Sequence, residues 1–293
     1  NERTICYKFS ISNQETASHP NPDEKIIFNS GVLWEITTPK NETNYLFGTI
    51  HSQENSVNKI LPEVKNKLIK SKKIILEIIP DAESNLIYRN KMYYKNGNQL
   101  NNILDKSFFT KLKEQIEQYN LSENELKNLK YMKPWAAFNL IGRPKATRSS
   151  TLETNLLKFA RENMLKIDSL ETMNEITSSL DELSLQDQVY ILKDTICNHH
   201  NIIKETKALI DLYIDRDAQG IIKFTHQQHA DKSIYSRFMK KMLYERNKKM
   251  LEKIAKEFEE GGTFVAVGIL HLIAKHGILE ELQDLGYKIT LVY

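Results

Sequence analysis

Two histidines of this chain end the same short motif, Gly-x-x-His, in which a glycine stands three positions before the histidine. The first is His51 in "NYLFGTIH" (Asn44–His51), and the second is His271 in "TFVAVGILH" (Thr263–His271). In each case a run of apolar, β-branched and aromatic residues predicts a strand that leads to the motif. Each histidine therefore falls at the carboxyl end of a predicted inner strand, the edge of an open α/β sheet where ligands bind. We interpret the two motifs as one duplicated site.

An acidic residue provides a third candidate. Glu77 lies in "KKIILEIIP" (Lys72–Pro80), a short apolar run that predicts a buried strand. Carboxylates are rare in strands and are seldom buried without a partner. Glu77 is therefore either a structural carboxylate paired with a Lys or Arg, or a functional one. With His51 and His271 it provides the donors of a three-ligand metal site with an open position for water.

The elements around both motifs have the same order, strand, Gly-x-x-His, helix and strand. The first unit covers Asn44–Ile79, the second covers Thr263–Tyr293, and a hairpin strand precedes the first at Gly31–Thr37. Residues 81–260 show the apolar spacing of helices, with one short strand predicted within Asn163–Glu171. We predict an α/β fold, α+β in composition, with a small mixed, partly parallel sheet and a large helical insertion. The βαβ order predicts parallel pairing within the first unit.

The remaining organisation is simple. Residues 1–30 are polar and rich in Asn, Ser and Pro, which predicts a flexible N-terminal arm. Residues 31–293 are predicted to form a single domain with the insertion inside it. Cys6 and Cys197 are compatible with one long-range disulfide in an oxidising compartment, or with two unrelated thiols.

Composition excludes several classes of protein. The net charge of +3, with 40% hydrophobic and 27% charged residues, gives no basic footprint for nucleic acid. No apolar run approaches the ~20 residues of a transmembrane helix, and nucleotide-binding and Gly-x-Ser-x-Gly fingerprints are absent from the sequence. His226 and His229 lack zincin spacing.

Because the chain begins at Asn1 without a signal segment, we expect an exported protein, periplasmic, secreted or lipid-anchored, whose signal has been removed.

Several segments together resemble the TraB/GumN/PrgY family, to which the animal Tiki metalloproteases are related. They occur in the family's order as "LWEIT", "NYLFGTIH", "LPEVKNKLIKSKKIILEI", "MKPWAAFNL", "LETNLLKFARENMLKIDSLETMNE", "YERNKKMLEKI" and "FVAVGILHLIAKHGILEELQDLGYKITLV". The resemblance covers about Val32 to Tyr293. It implies a compact α/β domain with both histidines and an acidic residue in one site. For the Tiki branch it also implies divalent-metal-dependent peptide hydrolysis. Related folds include erythromycin esterases, with a histidine base, and a haem-iron-binding lipoprotein.

The resemblance also implies which residues form the site. The family's two histidines, two acidic residues and Arg-Asn pair match His51, His271, Glu77, Glu171, Arg246 and Asn247. Two positions depart from the pattern. Glu153 stands where many relatives have a Gly-Leu-Asp sequence, and His276 stands where relatives more often have a small or acidic residue. Either departure bears on metal preference or substrate.

The working hypothesis is a metallohydrolase acting on peptide or protein substrates. His51, Glu77 and His271 would hold a divalent ion, Mn, Co or Zn, that activates water. Glu171 would act as general base and Arg246 would stabilise the oxyanion. The alternative for Glu171 is a helix cap, and the alternative for Arg246 is a charge on a helix surface. One alternative is a metal-independent, esterase-like hydrolase that uses His51 and a carboxylate. Another is a non-catalytic protein that binds a peptide, a metal or haem.

Overall fold

The computed structural model describes residues 5–7, 9, 25–227 and 231–293. Most of the predicted arm over residues 1–30, and His229, lie outside these residues. The described strands form one sheet in the order β4-β3-β5-β2-β1-β6. Their bounds are β1 Leu33–Thr37, β2 Thr43–Thr49, β3 Lys73–Leu76, β4 Lys166–Ser169, β5 Thr263–Gly268 and β6 Lys288–Leu291.

The sheet is mixed, as predicted. Strands β2, β5, β3 and β4 are parallel neighbours, whereas β1 runs antiparallel to both β2 and β6. The hairpin and the short strand within Asn163–Glu171 are confirmed. The expected direct pairing of β2 with β3 is wrong, because β5 lies between them. Strand β5 is buried over Thr263–Val267, so it needs neighbours on both sides, as interior parallel strands do.

Helices fill the chain between the strands. Their bounds are α1 Pro62–Leu68, α2 Ala82–Lys91, α3 Leu100–Ile103, α4 Lys106–Ile116, α5 Glu123–Lys127, α6 Pro134–Ile141, α7 Leu152–Glu162, α8 Met173–Asp181, α9 Leu185–Asn198, α10 Ile202–Ile214, α11 Ala218–Gln227, α12 Lys232–Met239, α13 Glu245–Phe258, α14 Ile269–Ile273 and α15 Ile278–Asp284. A π-helical turn, Lys240–Tyr244, leads directly into α13. The helical insertion predicted over residues 81–260 therefore corresponds to α2–α13, interrupted by β4.

Local sequence explains where several helices begin. Proline occupies the first turn of α1 and α6, where its missing N–H would be unbonded in any residue. Capping boxes start α5 and α8, because Ser122 and Thr172 exchange hydrogen bonds with the glutamate three residues on. The box at Thr172 begins α8 immediately after Glu171. Glu171 is therefore held between the end of β4 and a fixed helix start.

Two buried apolar clusters organise the described residues. One surrounds the sheet and includes α1, α7, α10, α11 and α13–α15, and the other lies within the insertion, between α3, α4, α6 and α9. A disulfide joins Cys6 to Cys197 of α9, with Cα atoms 5.4 Å apart, which decides between the two cysteine alternatives. None of the described helices combines the length and apolar character that a membrane crossing requires.

Candidate functional site

The candidate site lies at the edge of the sheet where four parallel strands end. Thr49 of β2 pairs with Gly268 of β5, and Leu76 of β3 pairs with Ala266 of β5. Strand β4 ends level with β3, since Ser169 pairs with Leu76. Four predicted site residues follow these strand ends within three positions: His51, Glu77, Glu171 and His271. The prediction that both motifs lie at the carboxyl edge of inner strands is confirmed.

The two Gly-x-x-His motifs nevertheless leave the sheet differently. After Gly48 the chain runs from β2 into a loop, and α1 begins only later. Gly268 ends β5 and α14 begins at the next residue, so His271 lies on a helix that starts at the sheet edge. The side chain of His51 is 67% exposed, whereas that of His271 is 7% exposed. The duplication therefore extends to strand position but not to local conformation.

Arg246 joins two acidic residues that follow neighbouring strands. Its Nε donates to both oxygens of Glu171 at 3.0 Å, and its Nη2 donates to Glu171 Oε2 at 2.6 Å. Nη2 also donates to Glu77 Oε1 at 2.8 Å, and Nη1 donates to the Met242 carbonyl at 3.0 Å. Arg246 and Glu171 are buried, and buried charges of this kind need such partners. The structural interpretation of Glu77, a carboxylate paired with an arginine, is thus also satisfied.

The sequence of α13 explains why this arginine is buried. Met250, Ile254 and Phe258 follow Arg246 at intervals of four residues and are fully buried. Residues four apart lie on one face of a helix, so Arg246 continues the apolar stripe toward the sheet edge. The interpretation of Arg246 as a solvated surface charge is wrong for this reason.

His271 is buried beside Glu77. Its Nε2 lies 3.7 Å from Glu77 Oε1, and its Nδ1 lies 2.6 Å from Asn247 Oδ1. An amide oxygen only accepts hydrogen bonds, so Nδ1 carries the proton and Nε2 keeps a lone pair toward Glu77. The other carboxylate oxygen of Glu77 accepts the Gly268 N–H at 2.8 Å. Within the described part of the chain, Nδ2 of Asn247 is buried without a hydrogen-bond partner.

Burial and neighbouring charges set the protonation of this cluster. Burial would raise the pKa of Glu77, but His271, Arg246 and the Gly268 N–H hold it at about 2. Burial lowers the pKa of His271 to about 4, against the effect of Glu77. Burial raises the pKa of Glu171 despite its bonds to Arg246. At neutral pH Glu77 is therefore ionised and His271 neutral, so two hydrogen-bond acceptors face each other.

His51 lies at the neighbouring strand end with a different acidic partner. Its Nδ1 is 3.6 Å from Oε2 of Glu153, which lies in the first turn of α7. Thr151 caps that turn, since its side chain accepts a backbone N–H. The Tyr213 hydroxyl donates to the Gly48 carbonyl at 2.7 Å, which fastens α10 to the strand that leads to His51.

The structure therefore brings together two of the three predicted metal ligands, His271 and Glu77, whereas His51 contacts Glu153. Of the described His, Cys, Asp and Glu side chains, no group of three or more is arranged to hold a metal ion. The chemistry of the His271–Glu77 pair still fits a divalent cation. The imidazole is neutral and hydrogen-bonded through its other nitrogen, as metal-binding histidines are, and the carboxylate is ionised. A third ligand from His51 stays a prediction.

Sequence reasoning gave no role to two residues that contact the histidines. The family resemblance includes Asn247 only as part of an Arg-Asn pair, although its place three residues before Met250 is a signal that it faces inward. Glu153 enters the resemblance only as a departure from the family pattern. Its contact with His51 spans distant parts of the chain, and nothing in the local sequence around it indicates that contact.

These features define an α/β domain in which two strand-end histidines and a Glu-Arg-Glu cluster, buried at Arg246 and Glu171 and half-buried at Glu77, share one edge of a mixed sheet. The chain belongs to the TraB/PrgY/gumN family, whose sequence model matches residues 32–291. The match spans both Gly-x-x-His motifs and confirms the resemblance drawn from them. Comparison with curated proteins and with solved structures gave no match.

Proposed function

We propose that this chain is a hydrolase that cleaves peptide bonds at the carboxyl edge of the sheet, centred on His271 and Glu77. The observation that carries the proposal is the 3.7 Å separation of His271 Nε2 from Glu77 Oε1. Both atoms are unprotonated at neutral pH, and two acceptors at this distance favour an electropositive guest between or beside them. A divalent cation or the O–H groups of a water molecule would meet this need.

The pKa values favour the metal-assisted route over direct proton abstraction. A general base works best when its pKa lies near the operating pH, whereas the pKa is about 2 for Glu77 and about 4 for His271. Such groups are weak bases at pH 7 but stay unprotonated and able to bind a cation. Mn, Co or Zn, when bound, would lower the pKa of a coordinated water and polarise the scissile carbonyl.

The surrounding residues hold this pair in place. Arg246 donates to Glu77 and keeps its carboxylate ionised. Glu171 accepts further hydrogen bonds from Nε and Nη2 of the same guanidinium and so holds Arg246 in place. Asn247 fixes the His271 tautomer with its lone pair toward Glu77. We propose in addition that Glu171 acts as the general base and that Arg246 donates to the oxyanion that develops in the reaction.

Metal analysis of the purified chain tests the proposal. Wild type should retain Mn, Co or Zn after dialysis, and His271→Ala should lose it. His200→Gln is the matched control, because His200 is an exposed histidine in the turn between α9 and α10 and follows none of the strand ends. Equal metal content in wild type and His271→Ala would overturn the metal site. Peptidase activity that survives chelation would overturn the metal mechanism.

A metal-independent hydrolase centred on His51 is the second candidate. The exposed ring of His51 lies 3.6 Å from Glu153 Oε2, and no hydrogen bond to that buried oxygen occurs among the described residues. A carboxylate beside a histidine orients the ring and stabilises its protonated form. If this mechanism operates, Glu153→Gln lowers kcat, whereas chelators leave kcat unchanged. The His271→Gln variant then retains activity. A chain that binds peptides but cleaves none would instead be the non-catalytic protein.

We also propose that the protein works outside the reducing cytoplasm. The Cys6–Cys197 disulfide supports this, because disulfides persist chiefly in oxidising compartments. Thiol labelling of the native protein, combined with cell fractionation, tests the proposal. Two freely labelled thiols in the native protein, or recovery in the cytoplasm, would overturn it.

A further inference from the structure

A cavity of about 190 Å³ opens beside His51 and has a cationic wall. Arg143 and Lys145 line it from the loop that follows α6, and Thr206 of α10 also lines it. Glu54 is the one carboxylate among the residues that line it. Two cations that line the same cavity as a histidine at a strand end are suited to hold an anionic group of a substrate there.

The cationic loop is held in a fixed position over the strand end. Gln53, two residues after His51, uses both atoms of its amide: Nε2 donates to the Ser149 carbonyl and Oε1 accepts the Thr147 N–H, each at 2.7 Å. Asn58 donates to the next carbonyl of the same loop at 3.0 Å. The loop over residues 143–151 is therefore bonded to the segment that carries His51, which fixes the backbone that carries its cations before a ligand arrives.

The backbone orients Arg143 further. Its Nε donates to the Asn139 carbonyl at 2.8 Å, and its own carbonyl accepts the Tyr119 hydroxyl at 2.7 Å. These bonds anchor the start of the loop to α6 and to the buried cluster of the insertion.

A second cavity, of about 350 Å³, shares Thr206 with the first. Its apolar wall consists of Ile141, Ile202, Leu209, Phe224 and Leu270. Two carboxyl groups, Asp194 and Glu205, also line it, and burial followed by the charge of Glu205 raises the pKa of Asp194 to about 6. The carboxyl group of Asp194 is therefore protonated more readily than that of an exposed aspartate.

The two cavities flank the two motifs. The smaller contains His51, and the larger is lined by Leu270, the residue before His271. Because β2 and β5 are paired neighbours and the two cavities share Thr206, a peptide that fills both cavities would lie beside the ends of these strands.

We infer that, if the chain is the peptide hydrolase proposed above, these cavities are its specificity subsites. The smaller binds a carboxylate of the peptide at Arg143 and Lys145, and the larger binds an apolar side chain. The substrate class is therefore a peptide with an acidic group close to an apolar residue. The carboxylate can belong to an Asp or Glu side chain or to the peptide's C-terminus.

Matched peptides test this inference by binding and by cleavage. The probes are acetylated, fluorescently labelled hexapeptides in three matched pairs. One pair differs by Asp or Asn at one position, the second by Leu or Ser at one position, and the third by a free or an amidated C-terminus. Dissociation constants come from anisotropy and kcat/KM from mass spectrometry, both with the metal-loaded protein. Replacing Asp by Asn should raise Kd about fivefold, as one or two partly exposed ion pairs allow. Replacing Leu by Ser should raise it about tenfold.

Arg143→Gln/Lys145→Gln should remove the preference for the carboxylate and leave the Kd of the neutral peptide unchanged. Arg148→Gln is the matched control, because Arg148 lies in the same loop but does not line the cavity. If the free C-terminus matters and the Asp side chain does not, the carboxylate is the terminal one. Equal Kd values for acidic and neutral peptides, or equal weakening of both by the double variant, would overturn the inference.

Binding and turnover separate the two proposals. Charge-selective binding without cleavage would refute the hydrolase and leave the subsites standing. Cleavage without any preference for a carboxylate or an apolar residue would refute the subsites and leave the hydrolase standing.

Discussion

Replacing Arg246 by methionine tests whether the guanidinium neutralises the two acidic residues that it joins. Methionine keeps most of the apolar stem and packs adaptably, but it cannot donate a hydrogen bond. The variant therefore leaves Glu77 and Glu171 without the cation that both contact. Removing one partner of a buried ion pair costs about 3–5 kcal/mol. We expect the free energy of unfolding in urea at pH 7.5 to fall by that amount.

The pKa of Glu77 supports this magnitude. It is about 2 in the folded protein, against about 4.3 in an unfolded chain, and a shift of that size corresponds to about 3 kcal/mol. His271 and the Gly268 N–H contribute part of it and remain in the variant. The variant also leaves the buried Glu171 carboxylate without its cation. This second loss adds to the first, so we expect the total to lie in the upper part of the range of about 3–5 kcal/mol.

Lowering the pH should narrow the difference in the free energy of unfolding between wild type and Arg246→Met. In wild type the folded pKa of Glu77 lies below the unfolded value, so its contribution is complete above about pH 4.3 and is lost as pH falls toward 2. Without Arg246 we expect both carboxyl pKa values to lie above the unfolded values. The folded variant then takes up protons first and regains stability, relative to wild type, as pH falls from 7.5 to 5.

Lys253→Met is the matched control on the same helix. Its Nζ lies 3.1 Å from Asp168 Oδ2, but the two side chains are 34% and 42% exposed, so we expect a loss below about 1 kcal/mol. Adding Glu171→Leu to Arg246→Met should recover part of the lost stability, because one unpaired charge disappears. A loss no larger than that of Lys253→Met, or one equal at pH 5 and pH 7.5, would refute the reasoning.

Three further changes test other contacts. His271→Gln should flatten the acid dependence of urea unfolding: the folded pKa of about 4 lies below the unfolded value of about 6.5, so wild type loses stability between pH 6.5 and 4 and the variant should lose less. Gly48→Ala would place a Cβ 2.1 Å from Cδ1 of Ile269, an overpacking that should cost about 1–3 kcal/mol in urea unfolding and be relieved by Ile269→Val. Cys6→Ser/Cys197→Ser should lower stability by about 2–4 kcal/mol, and an unchanged Tm in calorimetry would contradict this.

Local patterns predicted the elements of the sheet but not their complete order. The runs that became β2, β3 and β5 are apolar and short, and the hairpin of β1 with β2 needs only one turn between them. The insertion of β5 between β2 and β3 joins segments from opposite ends of the chain. Periodicity reports which faces of a segment are buried and not which neighbour buries them, so this pairing could not be read locally.

The same limit applies to the acidic residues. The sequence shows that Glu77 needs a partner, and the partner is Arg246, 169 positions later. The alternative of a helix cap for Glu171 is wrong, because Thr172 caps α8 and Glu171 instead binds Arg246, the arginine that also contacts Glu77. The tendency to be paired was predictable from burial, whereas the identity of the pair depends on tertiary structure.

The unequal burial of the two histidines has a geometric cause in the sheet. Gly48 pairs with Val267 and not with Gly268, so the two motif glycines are offset by one residue along paired strands. Successive residues of a strand point to opposite faces, so equivalent motif positions begin on opposite faces of the sheet. Helix α14 then turns His271 inward at once, while the loop after β2 carries His51 to the surface. This offset explains how one duplicated motif can supply both a fixed, buried imidazole beside Glu77 and an exposed one beside the cavity where we propose that substrate binds.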